Sequence, residues 1–304
     1  MKPEYVKAHL ALLGANLIFG LNFVIAKGIM PHWLEPRAII VFRVVGAAII
    51  FWIVDLIIGS EKVARADLRR MFVAAIFGTA LNQILFFEGL NLTTPINASI
   101  IVVGVPIFVL VMSHFIIKDR ITWTKSLGIV LGFAGAAYLI LRTGNITFSS
   151  STTMGNIMVF INAASYALFL VLVKPLMRSY KPVTVMKWVF TFGLIFVIPV
   201  SLKQISEANF AVIPFHIWLS IGYVVLFTTV ITYFLNNYSL KRISPSVNSS
   251  YIYLQPLIAT LVAISFGKDK LNFVEVIASV LIFIGVYFVN KTGKLKPKAD
   301  SVNL

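Results

Sequence analysis

Apolar residues run in blocks along this chain, and each block is closed by a short polar or charged stretch. A membrane-spanning helix needs about 20 mainly apolar residues. Ten blocks approach or meet that length, at 9–29, 36–58, 69–90, 96–117, 124–141, 154–174, 184–202, 214–235, 247–266 and 273–290. The pattern is also written twice. A shift of 150 residues lays Pro95 on Pro245, Ser99 on Ser249, Pro106 on Pro256, Lys118 on Lys268, Asp119 on Asp269 and Gly135 on Gly285. Near the start of each half the offset drifts to 147 (Lys27 on Lys174, Met30 on Met177) and 146 (Pro36 on Pro182), which a few residues gained or lost in loops explain. Two like halves with five spans each must enter a bilayer with opposite orientation. The predicted fold is therefore an all-α integral membrane protein of ten transmembrane helices, built as two inverted-topology five-helix repeats. Such repeats place a binding site at their interface. The repeats are expected at 1–144 and 145–294, with a polar Ser/Thr-rich junction at 142–153 and a basic tail at 295–304.

Composition agrees with a membrane chain. Hydrophobic residues make up 59% of 304 and mean hydropathy is +0.92, where a soluble domain is about half apolar. The connections are too short for an ATP-binding module, and no GxxxxGK[ST] run occurs. The first apolar block follows Lys2 and Lys7 without a clear small-x-small exit, so it reads as a retained helix and not a signal peptide. Cysteine is absent, so thiol chemistry and disulfides are out of the question.

The net charge of +15 suggests nucleic acid until its distribution is read. With the N-terminus in the cytoplasm, nineteen lysines and arginines fall on the cytoplasmic side and six outside, and Arg43 lies within a span. The bias predicts a multi-pass protein of the cell (inner) membrane with both termini cytoplasmic. The basic excess is then topology, with attraction to anionic lipid as a by-product and no nucleic-acid partner.

Polar side chains inside apolar blocks are the candidate chemistry, because a polar group in hydrocarbon needs a partner or a wet cavity. Thr79, Asn82, Gln83 and Phe86 follow i, i+3, i+4, i+7 and share a helix face. Their equivalents at +150 are Thr229, Thr232, Tyr233 and Asn236, with Asn237 adjacent. Asn248, Tyr251 and Gln255 form a stripe in the ninth block, and Asn162, Ser165, Tyr166 and Phe169 another in the sixth. Asn16 and Asn22 lie in the first block, where Phe19 aligns with Tyr166, and Trp188 offers an aromatic wall. Taken singly, each amide reads as interhelical glue worth about 0.6 kcal/mol. Taken together, Gln83, Tyr233, Asn236, Tyr251 and Gln255 read as a cavity for a small zwitterionic or neutral solute, since amides both donate and accept.

Arg43 lies about 10 Å deep at helical rise. It could hold a substrate carboxylate, anchor neighbouring helices or pair with Glu88; the scaffold reading is favoured. Glu88 itself reads as an outer-interface residue near Arg43, with proton binding as the alternative. Lys27 and His114 read as interfacial. Pro106 and Pro256 sit mid-span at matched positions and free the carbonyls of Val102 and Ile252, which predicts paired hinges, or else static bends. Gly128, Gly132, Gly135 and Ala136 form a small-residue face that predicts close helix packing, within the chain or against a second copy of it.

Several segments carry a family resemblance. Gly20-Leu-Asn-Phe-Val-Ile-Ala-Lys27 resembles the WGxNFxxxK-like opening of EamA-type members of the drug/metabolite transporter superfamily, with Phe19 in the place of the Trp. Pro36-Arg-Ala-Ile-Ile-Val-Phe-Arg43 resembles their second-span segment. Leu240-Lys-Arg-Ile-Ser-Pro-Ser246 with Gln255-Pro256 resembles their eighth-to-ninth junction. Lys118-Asp-Arg-Ile-Thr122 resembles their acidic E-x-L/I-T turn, with Asp119 for Glu. The resemblance implies a secondary carrier, most often an exporter of amino acids, other small metabolites or toxic compounds. It also implies a cavity framed by spans one to four and six to nine. No cofactor, metal site or catalytic set is expected. The runner-up is a membrane-embedded lipid-modifying enzyme, against which stands the lack of HExxH, paired carboxylates or a Gly-x-Ser-x-Gly elbow.

Overall fold

The computed structural model describes residues 3–143, 150–265 and 273–292. The centre of the predicted junction (144–149), Lys268 to Lys270 and the tail from 293 lie outside them. All regular structure among the described residues is helical. Among the described residues, seven segments are long and apolar enough to cross a membrane: Pro3–Ile29, Pro36–Ile58, Arg65–Leu92, Asn97–Ile117, Ser151–Ser179, Pro182–Ser206 and Phe215–Leu240.

The helices are α1 (Pro3–Ile29), α2 (Pro36–Ile58), α3 (Arg65–Ala75), α4 (Leu81–Leu92), α5 (Pro95–Val102), α6 (Val105–Ile117) and α7 (Trp123–Thr143) in the first half. The second half holds α8 (Ser150–Ser179), α9 (Pro182–Ser206), α10 (Phe215–Val225), α11 (Thr232–Leu240), α12 (Pro245–Ser250), α13 (Leu254–Ser265) and α14 (Phe273–Thr292). Local chemistry explains the starts. Pro36 and Pro182 occupy first-turn positions, where their missing N–H is no loss. Thr94 and Ser244 cap α5 and α12 by accepting from the Asn97 and Val247 amides at 3.1 and 3.3 Å, each followed by Pro at the first position.

The repeat extends to the irregularities. A π turn at Ile76–Ala80 joins α3 to α4, and its equivalent at Leu226–Ile231 joins α10 to α11. A π turn inserts a residue and loosens backbone carbonyls. Side chains take them up: Ser165 donates to the Phe77 carbonyl at 2.7 Å, Tyr233 to Gly78 at 2.8 Å, and Thr228 and Thr229 to Val224 at 2.5 and 2.8 Å. Gly78 is required here, because a Cβ would lie 2.1 Å from the Phe169 ring. The second pair of irregularities precedes the matched prolines. Helix α5 stops at Val102 and α6 begins at Val105, while Tyr251–Tyr253 is a 3₁₀ turn between α12 and α13.

Equivalent helices run antiparallel. Between α2 and α9, Arg37 meets Val200 and Gln204 at one end, and Trp52 and Asp55 meet Thr191 and Lys187 at the other. Between α7 and α14, Gly128 faces Gly285 and Val289, and Gly135 faces Ala278 and Ile282. The small-residue face is thus consumed inside the chain: a Cβ on Gly128 would lie 2.6 Å from the Gly285 carbonyl oxygen. Gly132 additionally receives the Tyr253 ring, whose hydroxyl donates to the Ile129 carbonyl at 3.1 Å.

Two equivalent lysines close helix ends. Lys27 donates to the Leu90 and Asn91 carbonyls at 2.8 Å and to Thr93 at 3.3 Å, at the C-terminus of α4. Lys174 donates to Leu240 and, at 2.7 Å, to Ile243, at the C-terminus of α11. A C-terminal turn has orphan carbonyls and a partial negative charge, and an ammonium satisfies both. Lys27 is therefore a helix cap and not only an interfacial residue. Lys174, Lys187 and Lys125, counted among the nineteen cytoplasmic charges, are buried, at only 3–4% exposed. Lys187 pairs with Asp55 at 2.5 Å and Lys125 with Asp119 at 2.8 Å. Sixteen basic residues still stand against six once these three are set aside.

Candidate functional site

One cavity lies at the seam of the two halves and holds about 730 Å³ of atom-free space, its open part included. Helix α1 contributes Asn16, Phe19, Asn22 and Phe23, α2 contributes Arg43, and α4 contributes Asn82, Gln83 and Phe86. Val102 and Val105 flank the break before Pro106. From the second half come Asn162 and Tyr166 of α8, Tyr233 and Asn236 of α11, Asn248 of α12, Ile252, and Gln255 of α13. None of the described lining residues comes from α7 or α14.

A hydrogen-bond lattice fixes much of the polar surface. Asn16 donates to the Leu12 carbonyl at 2.8 Å and accepts from Gln255 Nε2 at 2.8 Å. Asn162 donates to the Asn82 carbonyl at 2.6 Å, and the Tyr233 hydroxyl lies 3.1 Å from Asn82 Oδ1. Asn248 donates to the Asn236 carbonyl at 3.0 Å, and Asn236 to Thr232 at 2.9 Å. Gly20 lets α1 approach α13 closely, since a Cβ there would sit 3.3 Å from the Gln255 carbonyl oxygen.

Some polar atoms stay unspent. Gln83 lies beside the Tyr233 phenol, yet neither of its amide atoms completes a hydrogen bond of ordinary geometry. Asn22 Oδ1 is likewise buried without a partner. Each such group costs about 1–3 kcal/mol unless water or a ligand satisfies it. Arg43 is 4% exposed, donates through Nε to Thr229 Oγ1 at 2.8 Å and packs 4.7 Å from the Phe87 ring centre. Among the described residues that line the cavity it is the only ionisable side chain other than tyrosine. The amides and tyrosine hydroxyls of this wall can donate to and accept from a polar group.

The model of the EamA-like transporter family matches residues 6–141 and again 153–291. The chain belongs to the EamA-like transporter family. It is similar to the uncharacterized transporter YyaM of Bacillus subtilis strain 168, 26% identical over 288 residues, covering 93% of each chain. It is also similar to an uncharacterized transporter of Archaeoglobus fulgidus, at 26% over 92% of this chain and 96% of that one. The uncharacterized inner membrane transporter YedA of Escherichia coli K12 is 26% identical over 91% and 90%. One solved crystal structure shares the fold, with a TM-score of 0.75 at 18% identity over 94% of this chain and 97% of that chain. Family, relatives and apolar helices together make this a multi-pass membrane protein of the transporter class.

In this EamA chain the cavity gathers Phe19, Asn82, Gln83, Tyr166, Tyr233, Asn236 and Gln255 from the sequence candidates. Four candidates lie elsewhere. Thr79 packs against α9, where a Cβ on Gly193 would fall 2.4 Å from its methyl group. Asn237 donates to the Tyr233 carbonyl at 2.8 Å and to Met186 Sδ at 3.2 Å. Tyr251 hydrogen-bonds His9 at 2.7 Å. Trp188 packs edge-on to Trp52 and stacks on Phe192. The π turn explains Thr79: an extra residue in the turn rotates everything before it by about 100°, so the 3.6-residue stripe breaks at Ala80. Glu88 pairs with Arg37 at 2.6 Å, not with Arg43, because Arg37 starts α2 beside the end of α4. Phe23, Val102, Val105 and Ile252 join the lining without having been singled out for it. Phe23 follows Phe19 by one turn, and Val102 and Ile252 are the residues whose carbonyls the prolines free.

Proposed function

We propose that this EamA protein is a secondary carrier that moves a small metabolite across the cell membrane by alternating access, as an exporter. On this reading ten helices span the bilayer, with repeats at 1–144 and 145–294, opposite orientation of the repeats and both termini in the cytoplasm. The observation that carries it is the cavity itself. It lies between two antiparallel-related halves, draws polar side chains from both, and is bordered by matched helix interruptions. Carriers built from inverted repeats bind at that seam and rock around it. Pro106 and Pro256 are the proposed hinges, next to breaks that already lack regular α-helical bonding. Lipid is the surrounding solvent and a small molecule the partner.

Counterflow tests the proposal. Purified protein in vesicles loaded with an unlabelled metabolite mixture should take up labelled members of that mixture faster than into empty vesicles. Trans-stimulation is the mark of a carrier. Chemical conversion of lipid or solute without trans-stimulated exchange would instead favour the membrane-embedded enzyme.

A further inference from the structure

Arg43 holds one edge of its guanidinium in reserve. Its Nε is tied to Thr229, and the Thr229 hydroxyl donates in turn to the Val224 carbonyl that the second π turn loosens. The Phe87 ring supports the guanidinium carbon at 4.7 Å. These contacts set the plane of the group. No carboxylate lies within ion-pair distance of it among the described residues, and Glu88, Asp55, Asp67, Asp119 and Glu4 all pair elsewhere. A buried cation with no counter-ion is costly in hydrocarbon. In the same wall stand Asn22 Oδ1, without a partner, and the Gln83 amide, which lies against the Tyr233 phenol without completing a hydrogen bond of ordinary geometry.

A scaffold role does not account for this arrangement. Both halves contain the π turn, but at the equivalent of Arg43 the second half carries Val189, by the offset of 146 that aligns Pro36 with Pro182. Thr79, the equivalent of Thr229, has a hydroxyl with no partner. The turn is thus built without a cation in one half, and the cation in the other needs a separate reason.

We infer that Arg43 is a carboxylate-binding residue and that the solute is a monocarboxylate with an apolar body. This rests on the carrier reading above. A planar guanidinium with one edge free matches a carboxylate in two parallel bonds. Among the described lining residues there is no second cation to balance a phosphate ester. Gln83 supplies a donor for the same carboxylate and an acceptor for a neighbouring N–H or O–H. Phe19, Phe23, Phe86, Val102, Val105 and Ile252 supply the apolar wall for the remainder.

The test uses paired probes: short-chain and phenyl-substituted monocarboxylates, the α-amino acids, and the primary amide of each. Thermal stabilisation of the full-length protein in detergent is read first, then counterflow in vesicles. Members of the carboxylate set should stabilise the native protein and their amides should not. Arg43→Gln should weaken that effect about tenfold to hundredfold, and Arg43→Lys should lie between, because it keeps the charge and loses the fork. Thr229→Val, which frees the guanidinium without removing it, should weaken binding yet keep the preference for acid over amide; it covers the case in which Arg43→Gln does not fold. Equal stabilisation by amides, an undiminished effect in Arg43→Gln, or no effect of any carboxylate overturns the inference. Arg43-dependent stabilisation without counterflow would leave the carboxylate subsite standing and sink the carrier. Counterflow of the amides at native rates in Arg43→Gln would do the reverse.

Discussion

The buried pair of Asp55 and Lys187 gives the sharpest test of how the two halves are joined. Asp55 is fully buried and Lys187 is 3% exposed. The carboxylate accepts from Lys187 at 2.5 Å, Ser60 at 2.5 Å and Thr184 at 3.3 Å, and the ammonium lies 4.4 Å from the Trp52 ring centre. At an effective dielectric of about 20, charges this close attract by about 6–7 kcal/mol. Desolvation removes several kcal/mol per ion, so the net contribution of the pair is small. The loss of one partner is not small: an uncompensated buried charge costs about 3–5 kcal/mol. Lys187→Met should therefore destabilise strongly. Asp55→Leu should do less harm, because the Trp52 face still receives the ammonium, worth up to about 2 kcal/mol when desolvated. The double variant should recover to within about 1 kcal/mol of the native protein, since two apolar side chains then replace two charges. Unfolding midpoints in mixed micelles, followed by tryptophan fluorescence, would rank the four proteins. A double variant as unstable as Lys187→Met would refute the reasoning, because the two charges would then not be acting as one unit.

Two further outcomes are expected. Lys62→Cys and Lys203→Cys, singly placed at exposed positions of this cysteine-free chain, should label from the cytoplasm and from outside respectively; labelling from the same side would refute the opposed orientation of the halves. Pro106→Ala and Pro256→Ala should each close one helix interruption and shift spin-label distances at opposite mouths; unchanged distance distributions and exchange rates in both would make the prolines static bends.

The sequence repeat foretold more of the fold than any single motif did. The offset of 150 paired Pro95 with Pro245 and Pro106 with Pro256, and the structure adds matched N-caps at Thr94 and Ser244 and matched π turns. Local signals explain this: Pro at a first turn and a hydroxyl before it are readable at short range. The cavity was half legible. Asn82, Gln83, Tyr233 and Asn236 share a face because the helix is regular from Leu81 and Thr232 onward. Thr79 was misplaced because no propensity rule announces a π turn; Gly78 and the hydroxyl pair Thr228–Thr229 mark it only once Phe169 and Val224 are known to be adjacent. The burial of the lysines at 125, 174 and 187 was not legible, because their partners, Asp119, the Leu240 carbonyl and Asp55, are separated from them in sequence or belong to a backbone that composition does not show.

The irregular backbone is concentrated around the cavity, and this bears on why the repeat was kept yet made unequal. In hydrocarbon, non-helical backbone is tolerated where it is buried in protein or lines a cavity. Both helix breaks border the cavity, with Val102 and Ile252 lining it directly, and both π turns lead into the helices whose Asn82, Gln83, Tyr233 and Asn236 line it. The loosened carbonyls of the first π turn are satisfied by Ser165 and Tyr233 from the other half, whereas those of the second are satisfied by its own Thr228 and Thr229. The first turn is thus locked across the seam and the second is internally closed. That difference frees Thr229 to accept from Arg43, whereas Thr79 is buried against Gly193 with nothing equivalent to hold. On the carrier reading proposed above, symmetry would supply two sides that open in turn. The departure from symmetry at Arg43 and Val189 supplies one charged contact, so a bound anion would meet the same cation whichever side is open.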